Sequence, residues 1–595
     1  MNITGAELFV KALRAEHVDT LFAYPGGQVI DLFNALYDEE AIQVILPRHE
    51  QGLIHAADGY ARSTGKPGVC LVTSGPGATN LVTGIATAHY DSVPLVCFTG
   101  QVPTGLIGSH AFQEVDIVSI TSSICKYAIS VRRREDLSSI IRNAFTIART
   151  GRPGVVVVDL PKDIQREYGS SNYPDSLPAA NADRLITPPP ASLSVGMERA
   201  LKLLNRAKKP VLLIGGGVNI SRAHAELLQF VEITGIPVVT TIMGKGAIPS
   251  THNLYIGNLG IHGSYAANMA IQNCDVLLAI GTRFNDRITG APGTFASHAA
   301  IIHIDIDPAS VAGNVAADIP LVADAKKALR TLLDKAIPLH IQEWINEIHQ
   351  WKTQHPVCVK TKRLNPEMII QTINHAFDRA IIATDVGQNQ LWATQFLTLN
   401  MHRQLLTSGG LGTMGYGLPA AIGAKIGNPD TDVIVIAGDG GIQMTIQELA
   451  TAIVYELPIT ICIFNNGYLG NVRQWQEMFY DRRYASTCMR YRISCMKNCN
   501  SPAACCPEYT PDFISLAQSY GVRGIRVTKE EEILPALEAA RDTLKIPTLI
   551  EFIIEPEENV LPIVSPGKAL DGMILDYDSN RLTVSRSTSS TGSTT

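Results

Sequence analysis

"DVIVIAGDGGIQMTIQELATAIVYELPITICIFNN", at residues 432–466, is the stretch that points most directly to a fold class. It reads as a strand, a glycine loop, a helix, a short turn with a proline, and a second strand. Both strands are continuous apolar runs, which is typical of parallel sheets that carry helices on both faces. The stretch therefore predicts a strand–helix–strand unit of an α/β domain.

The same pattern recurs elsewhere in the chain. Residues 68–100, "GVCLVTSGPGATNLVTGIATAHYDSVPLVCFTG", repeat the order of strand, glycine loop, helix, turn and strand. Three further apolar runs each end in a turn: "KKPVLLIGGGVNI" (208–220), "CDVLLAIGTRF" (274–284) and "AAIIHIDIDP" (299–308). Helical patterns lie between these runs, as in parallel sheets. We therefore predict an α/β protein with three doubly wound parallel-sheet domains.

A chain of 595 residues is too long for one hydrophobic core, since domains hold about 100–200 residues each. We predict an N-terminal domain over residues 1–180, a central domain over 190–335 and a C-terminal domain over 365–575. The stretch 169–190, rich in Pro, Ser, Asn and Asp, is typical of a linker. The tail 576–595 is predicted to be disordered.

Charge and composition argue against several classes of partner. The net charge is only −6 and no long basic run is present, so nucleic acid is not expected as a partner. Apolar runs such as Val433–Ala437 fall far short of the roughly 18 residues that a membrane span needs. The start "MNITGAELFVKAL" lacks the pattern of a signal peptide. These features predict a cytoplasmic protein with reduced cysteines and no membrane partner.

Two loops of the opening stretch predict a magnesium site. Asp439 follows the first strand and Asn466 follows the second. Consecutive strands of a parallel sheet end at the same edge, so the carboxylate and the amide are expected to converge. Both are hard oxygen ligands suited to Mg²⁺, which usually shares a phosphate. The glycines would admit that phosphate, and a helix predicted to start near Thr445 would offer N–H groups. The alternative is a pair of ordinary strand-end turns.

This spacing resembles the signature of thiamine diphosphate (ThDP) enzymes. By that resemblance Asp439, Asn466 and the carbonyl of Tyr468 hold Mg²⁺ against the cofactor diphosphate.

"GLGTMG" (410–415) also fits a dinucleotide-binding pattern, but no convincing apolar strand precedes it. In ThDP enzymes this region passes beneath the cofactor. Met414 is then the bulky residue that bends it, and otherwise a core methionine.

Nearly the whole chain, to about residue 575, resembles the catalytic large subunits of the acetohydroxyacid (acetolactate) synthase family. The motifs that carry the resemblance include "YPGG" (24–27), "RHEQG" (48–52), "TSGPGATNL" (73–81), "AFQEVD" (111–116), "TRFNDR" (282–287), "GGLGTMGYGLPAA" (409–421) and "RQWQ" (473–476). The resemblance implies decarboxylation of pyruvate and transfer of its two-carbon unit to a second pyruvate or to 2-ketobutyrate. It also implies a homodimer or tetramer with the active site between subunits, and a small regulatory subunit as a further partner.

Glu50 matches the family glutamate that hydrogen-bonds N1′ of the cofactor pyrimidine and stabilises its imino tautomer. Removal of the proton from the thiazolium carbon near neutral pH requires such help. The alternative for Glu50 is a solvated glutamate at a helix start, favoured by the helix dipole.

Residues for substrate choice follow from the same resemblance. Arg287 matches the arginine that grips the carboxylate of the second ketoacid, and Asp286 would orient it. Trp475 matches the tryptophan that favours the larger acceptor. The same pocket would be lined by Phe112, Gln113 and Lys126. Simpler alternatives exist: Arg287 could be an ordinary surface arginine, Trp475 a half-buried tryptophan and Lys126 a solvated lysine.

The remaining cofactor residues are also implied by resemblance. For ThDP they are Pro25, Gly26, Gly27, Gly387, Gln388, Gly412, Met414, Gly438, Gly440 and Gly441. The central domain resembles the family FAD domain, with contacts from Arg152, Gly215, Gly216, His262, Gly263, Arg283, Asp305 and Asp324. The reaction has no net redox step, so this FAD is expected to be structural. A related acetolactate synthase lacks FAD, so the resemblance in activity does not by itself decide whether this chain binds FAD.

Four positions depart from the family pattern and leave the acceptor preference open. They are His110, Asn285, Asn389 and Asn471, which replace the Asp, Asp, His and Met of the family pattern, in that order.

A cysteine-rich insertion, 488–506, also stands out. Its five cysteines are Cys488, Cys495, Cys499, Cys505 and Cys506. Their spacing matches zinc motifs poorly, which leaves a metal or iron–sulfur site or free, redox-active thiols.

Two other functions compete with the leading one. Another ThDP-dependent 2-ketoacid decarboxylase or an oxidase would share the cofactor residues, although decarboxylases of this fold typically use paired histidines. A non-catalytic flavin-binding relative would not need Glu50, Asp439 and Asn466, which are all present.

Overall fold

The computed structural model describes residues 2–173, 190–361, 364–400, 404–495, 507–509 and 511–577. Most of the predicted linker, most of the predicted tail and three cysteines of the insertion, Cys499, Cys505 and Cys506, lie outside these ranges. Each of the three predicted segments contains one six-stranded sheet in which every pair of strands is parallel. The predicted fold class is confirmed, and the domain boundaries remain predictions.

The N-terminal sheet has the strand order 2-1-3-4-6-5, counted along its own segment. In spatial order the strands are Gln43–Ile45, Thr20–Ala23, Gly68–Val72, Leu95–Gln101, Val155–Pro161 and Tyr127–Ser130. The helices of this segment are Gly5–Ala15, Ile30–Leu36, Glu50–Thr64, Pro76–Thr79, Val82–Tyr90, Ile117–Thr121, Leu137–Arg149 and Lys162–Arg166. A small antiparallel pair, Asn2–Thr4 with Tyr168–Ser170, joins the ends of the segment.

The C-terminal sheet repeats the order 2-1-3-4-6-5. Its strands in spatial order are Leu405–Leu406, Ile381–Thr384, Val433–Gly438, Ile459–Asn465, Thr548–Ile553 and Arg523–Val527. Its helices are Pro366–Ala376, Gln388–Phe396, Gly417–Gly427, Asp439–Ile442, Leu449–Val454, Gly470–Phe479, Phe513–Ser519 and Ile533–Arg541. The direction of winding reverses between its first and third strands, where ligands of such sheets bind beyond the carboxyl ends.

The central sheet has a different order, 3-2-1-4-5-6. Its strands are Tyr255–Asn258, Val238–Thr240, Pro210–Ile214, Val276–Ile280, Ala300–Asp305 and Ile319–Val322. Its helices are Pro190–Leu204, Gly216–Ile220, His224–Thr234, Tyr265–Asn273, Asp286–Thr289, Ala325–Leu333 and Gln342–Gln354. This order is that of dinucleotide-binding sheets, whose ligand lies between the first and fourth strands.

Two helices hold the outer domains together. Glu50–Thr64 packs against Gly417–Gly427, and glycine is required where they cross. A Cβ on Gly423 would lie 1.8 Å from the Ala56 carbonyl oxygen. This contact joins the N-terminal and C-terminal domains of one chain.

Two further features concern the predictions from sequence. The helix predicted to start near Thr445 is present, and a further short helix, Asp439–Ile442, precedes it and begins directly at the strand end. A 3₁₀ turn, Ile446–Glu448, and the helix Leu449–Val454 follow the short helix. Among the described residues, no helix combines the length and the apolar character that crossing a membrane requires.

Candidate active site

The two loops of the opening stretch meet at the carboxyl edge of the C-terminal sheet. The strands Val433–Gly438 and Ile459–Asn465 are neighbours in parallel register. The Gly467 amide donates a hydrogen bond to Oδ2 of Asp439 at 3.1 Å. The two strand ends therefore bring Asp439 and the segment beginning at Asn466 into direct contact.

A small cavity of about 70 Å³ opens between these loops. The predicted cofactor or metal residues that line it are Gly387, Gln388, Met414, Gly438, Asp439, Gly440, Gly441, Asn466 and Tyr468. Gly387 follows the first strand of the sheet and Gly438 ends the third, where the winding reverses. The cavity thus lies at the position expected for a ligand of this fold.

Backbone contacts orient the predicted metal ligands. The Tyr468 amide donates to Oδ1 of Asn466 at 3.0 Å, and Nδ2 of Asn466 donates to Gln388 at 3.2 Å. The Gly467 carbonyl and the Leu469 amide pair with residues 487–489. Because backbone groups alternate across such a ladder, the Tyr468 carbonyl is directed away from that segment.

The charge balance of the small cavity fits a divalent cation. Asp439 is buried, and burial raises the pKa of its carboxyl to about 7 although the amides of Gly467 and Gly440 oppose the shift. A cation would compensate the cost of burying this charge. Among the described residues, no group of three or more His, Cys, Asp and Glu side chains could hold a metal ion. One carboxylate, one amide and one carbonyl suit Mg²⁺, which takes its remaining oxygens from phosphate and water.

Asp385 is a site residue that the sequence analysis missed. Both of its carboxylate oxygens accept from the Gly415 amide at 3.0 Å, and Oδ2 also accepts from Gly417 at 3.2 Å. Burial raises the pKa of this carboxyl to about 6. Asn389 donates to the Asp385 carbonyl at 2.8 Å. The bonds to Gly415 and Gly417 fix the backbone directly after Met414. The place of Asp385 directly after a buried strand was the available signal.

Glu50 lies at the start of the helix Glu50–Thr64, which His49 caps. Its Oε2 accepts a hydrogen bond from Nδ2 of Asn80 at 2.9 Å, a partner that the sequence did not reveal. Gly77 lies beside its other carboxylate oxygen. Glu50 is half-buried and does not line the small cavity of its own chain.

The other N-terminal residues gather near Glu50. Gly26 and Gly77 both pack against Thr73, and the Gly27 carbonyl accepts from Lys162 at 2.6 Å. Pro25 belongs to the same loop, which follows the strand Thr20–Ala23. The predicted pyrimidine-binding residues therefore lie on one edge of the N-terminal sheet.

The substrate residues fall into two groups. Gln113 packs against Gly75, and the neighbouring Phe112 is 85% exposed. The guanidinium of Arg287 lies 6.0 Å from the ring centroid of Trp475, within cation–π range. The structure thus brings together the two residues predicted to select the acceptor.

Lys126 has a different environment from the one expected of a substrate residue. Its ammonium donates to the carbonyls of Ile147 at 2.5 Å and Thr150 at 2.7 Å. It thereby caps the C-terminal end of the helix Leu137–Arg149. Burial and the charge of Arg152 lower its pKa to about 8.

A large cavity of about 750 Å³ lies between the central sheet and the two outer domains. The predicted FAD residues that line it are Arg152, Gly216, Arg283, Asp305 and Asp324. Gly215, His262 and Gly263 are not among its lining residues. Its size is in the range of cofactor pockets, and it lies at the switch point of the 3-2-1-4-5-6 sheet.

The charges around the large cavity suit a diphosphate. Burial and the nearby charge of Arg152 lower the pKa of Arg283, so an anion between them would relieve the repulsion. Arg152 is held by Asp307 at 3.2 Å. Burial raises the pKa of the Asp305 carboxyl to about 6. Asp305 ends a central strand, where such sheets bind ribose hydroxyls.

Family models match each of the three segments. Residues 3–120 match the thiamine pyrophosphate enzyme N-terminal TPP binding domain, 197–332 the central domain and 385–552 the C-terminal TPP binding domain. The two similar outer sheets thus lie in the segments that match TPP binding domains, and the different sheet lies in the segment that matches the central domain.

Whole-chain relatives narrow the family. A probable acetolactate synthase large subunit of Methanocaldococcus jannaschii is 45% identical over 583 residues, covering 96% of this chain and 95% of the relative. The acetolactate synthase large subunit of Corynebacterium glutamicum is 45% identical, covering 96% and 89%. The isozyme 3 large subunit of Escherichia coli is 41% identical, covering 96% and 98%. The chain therefore belongs to the acetolactate synthase large-subunit family of thiamine pyrophosphate enzymes.

Proposed function

We propose that this protein is an acetolactate synthase, which combines two pyruvate molecules into 2-acetolactate and CO₂. With 2-ketobutyrate as the acceptor the product is 2-aceto-2-hydroxybutyrate, and both products lead toward branched-chain amino acids. The observation that carries the proposal is the meeting of Asp439 and Asn466 at the sheet edge, in a chain that matches acetolactate synthase large subunits over 96% of its length.

The small cavity is the proposed site of the ThDP diphosphate. Asp439, Asn466 and the Tyr468 carbonyl would hold Mg²⁺, and Gly440 and Gly441 line the same space. ThDP, when bound, supplies the electron sink for decarboxylation. Met414 lines this cavity, and hydrogen bonds from the Gly415 amide to Asp385 fix the residue that follows it, which supports its role in shaping the cofactor.

Glu50 is the proposed partner of the cofactor pyrimidine. It is half-buried, lies at a helix start and is oriented by Asn80. Its role would be to hold a proton at the pyrimidine nitrogen of bound ThDP.

The active site is proposed to form between two subunits of a homodimer or tetramer. Glu50 does not line the small cavity of its own chain, so a second chain would supply it. Phe112 is 85% exposed in the single chain, as expected of an apolar side chain that a neighbouring subunit covers. The relatives are named large subunits, which supports a smaller regulatory subunit as a further partner. A cytoplasmic location belongs to the same proposal.

FAD is the proposed ligand of the large cavity. The volume, the switch-point position and the pair of arginines support it. Its role would be structural, because condensation of two ketoacids with loss of CO₂ involves no net electron transfer to the flavin.

A competition between acceptors tests this function. With ThDP, Mg²⁺, FAD and equal pyruvate and 2-ketobutyrate, we expect both acetohydroxy acids. Trp475→Leu should shift the product ratio toward acetolactate about tenfold, the typical value of a small apolar contact in a specificity pocket. Trp351→Leu, in the helix Gln342–Gln354, is the matched control and should leave the ratio unchanged. An unaltered ratio in Trp475→Leu would remove this residue from the acceptor site.

A further inference from the structure

The loop Gly409–Gly415 joins the two cavities. Gly409 and Gly410 line the large cavity, and Met414 lines the small cavity. Only three residues separate Gly410 from Met414. The loop is therefore a short covalent connection between the two cavities.

Asp91 holds the end of the loop that faces the large cavity. Its Oδ2 accepts from the Gly409 amide at 3.1 Å, and its Oδ1 accepts from the Gly410 amide at 2.8 Å. Its side chain is 0% exposed. Asp91 follows the helix Val82–Tyr90 of the N-terminal domain and itself lines the large cavity. One buried carboxylate thus connects the cavity wall to the loop.

Arg62 fixes Asp91 from the other side. Its Nη2 donates to Oδ2 of Asp91 at 3.0 Å, and its Nη1 donates to the Thr407 carbonyl at 3.0 Å. Its Nε donates to Oδ1 of Asp58 at 2.6 Å. Arg62 also lines the large cavity. The guanidinium therefore balances the buried charge of Asp91 and anchors the chain just before the loop.

The end of the loop at the small cavity has its own anchors. Asp385 accepts from the Gly415 amide at 3.0 Å. The hydroxyls of Thr413 and Thr87 lie 2.7 Å apart in a buried hydrogen bond. Met414 lies between these anchors. Thr87 belongs to the helix Val82–Tyr90, which Asp91 directly follows, so this helix and its C-terminal cap contact both ends of the loop.

We propose that Asp91 is a positioning residue that couples occupancy of the large cavity to the binding of ThDP beside Met414. A ligand in the large cavity packs against Asp91, Gly409 and Gly410 and restricts their motion. The loop is then already ordered when ThDP binds, so the chain loses less conformational entropy on binding ThDP. The coupling is reciprocal, and ThDP must tighten FAD binding by the same factor. This inference rests on the proposed binding of FAD.

Calorimetric titration of the full chain tests the coupling without a measurement of activity. ThDP is titrated at saturating Mg²⁺, with and without saturating FAD. We expect FAD to lower the ThDP dissociation constant about tenfold, within the usual range of coupling between sites. Asp91→Asn removes the ion pair with Arg62 and sets an amide donor against a backbone N–H. In this variant FAD should change the ThDP dissociation constant by less than about twofold.

Asp275→Asn is the matched control. Asp275 also accepts from two successive amides, those of Lys208 at 2.6 Å and Lys209 at 2.9 Å, but lines neither cavity. Its variant should keep the full coupling. Retained coupling in Asp91→Asn, or an equal loss in Asp275→Asn, would overturn the inference.

Thr87→Val gives a second measurement if Asp91→Asn does not fold. It preserves the side-chain shape and removes the hydrogen bond to Thr413, so the coupling should fall severalfold, and an unchanged coupling would contradict the inference. Absence of FAD binding to the unaltered chain would overturn both the inference and the proposed FAD site. Binding of FAD without any effect on ThDP would overturn the inference alone.

Discussion

Glu50→Gln is expected to lower turnover of pyruvate by about 10²–10⁴-fold, the usual contribution of a positioned acid–base group. Glutamine can still hydrogen-bond the cofactor pyrimidine, but it cannot hold and return a proton there. The fold should persist, because Glu50 is only half-buried and its described hydrogen bond to Asn80 can be made by an amide oxygen. Steady-state kinetics and thermal melting of the same preparation measure both effects.

A matched variant separates this role from that of an ordinary helix-start glutamate. Glu367 also lies in the first turn of a helix, Pro366–Ala376, and lines neither cavity. If Glu50 served only the helix dipole, Glu50→Gln and Glu367→Gln would each lose about 0.3–1 kcal/mol of stability and keep their activity. Activity retained in Glu50→Gln would therefore refute its catalytic role.

Asp439→Asn is expected to weaken Mg²⁺-dependent ThDP binding by at least about 100-fold, since one partner of a buried charge pair contributes about 3 kcal/mol or more. Calorimetry with ThDP measures this loss. Asp432 is exposed and directly precedes the opposite end of the same strand, so Asp432→Asn should bind ThDP normally. Normal ThDP affinity in Asp439→Asn would contradict the metal site.

Asp439→Asn should raise the thermal stability of the cofactor-free protein, although it weakens the binding of ThDP. Burial raises the pKa of the Asp439 carboxyl from 3.8 to about 7. Between these values the folded state binds more protons than the unfolded state, so stability falls as the pH rises. Above pH 7, cofactor-free Asp439→Asn should therefore melt at a higher temperature than the unaltered chain. With Mg²⁺ and ThDP the order should reverse, because ligand binding stabilises only the chain that binds it.

The local structure of the core was predictable, but the order of the strands was not. The apolar runs of 432–466 and 68–100 indicated parallel strands because such strands are buried on both faces. Strand order depends on how each crossover connection packs. The difference between the central sheet and the outer two therefore appeared only in the structure. The helix predicted to start near Thr445 is present, but the short helix Asp439–Ile442 was missed, because four residues are too few to show a helical repeat.

Site residues were predictable where a motif carried them. Asp439 and Asn466 follow recognisable strands, so their meeting at one sheet edge could be inferred. Asp91 could not be found in this way, because its partners Gly409 and Gly410 lie more than 300 positions away. Such contacts depend on how two domains dock.

The product formed from pyruvate alone tests the proposed activity most directly. The full chain is incubated with ¹³C-labelled pyruvate, ThDP, Mg²⁺ and FAD, and the products are quantified by NMR. We expect one 2-acetolactate and one CO₂ for every two pyruvate molecules consumed, with loss of the product when Mg²⁺ is chelated. Acetaldehyde or acetate in place of acetolactate would show a decarboxylase or an oxidase and would contradict the proposed function.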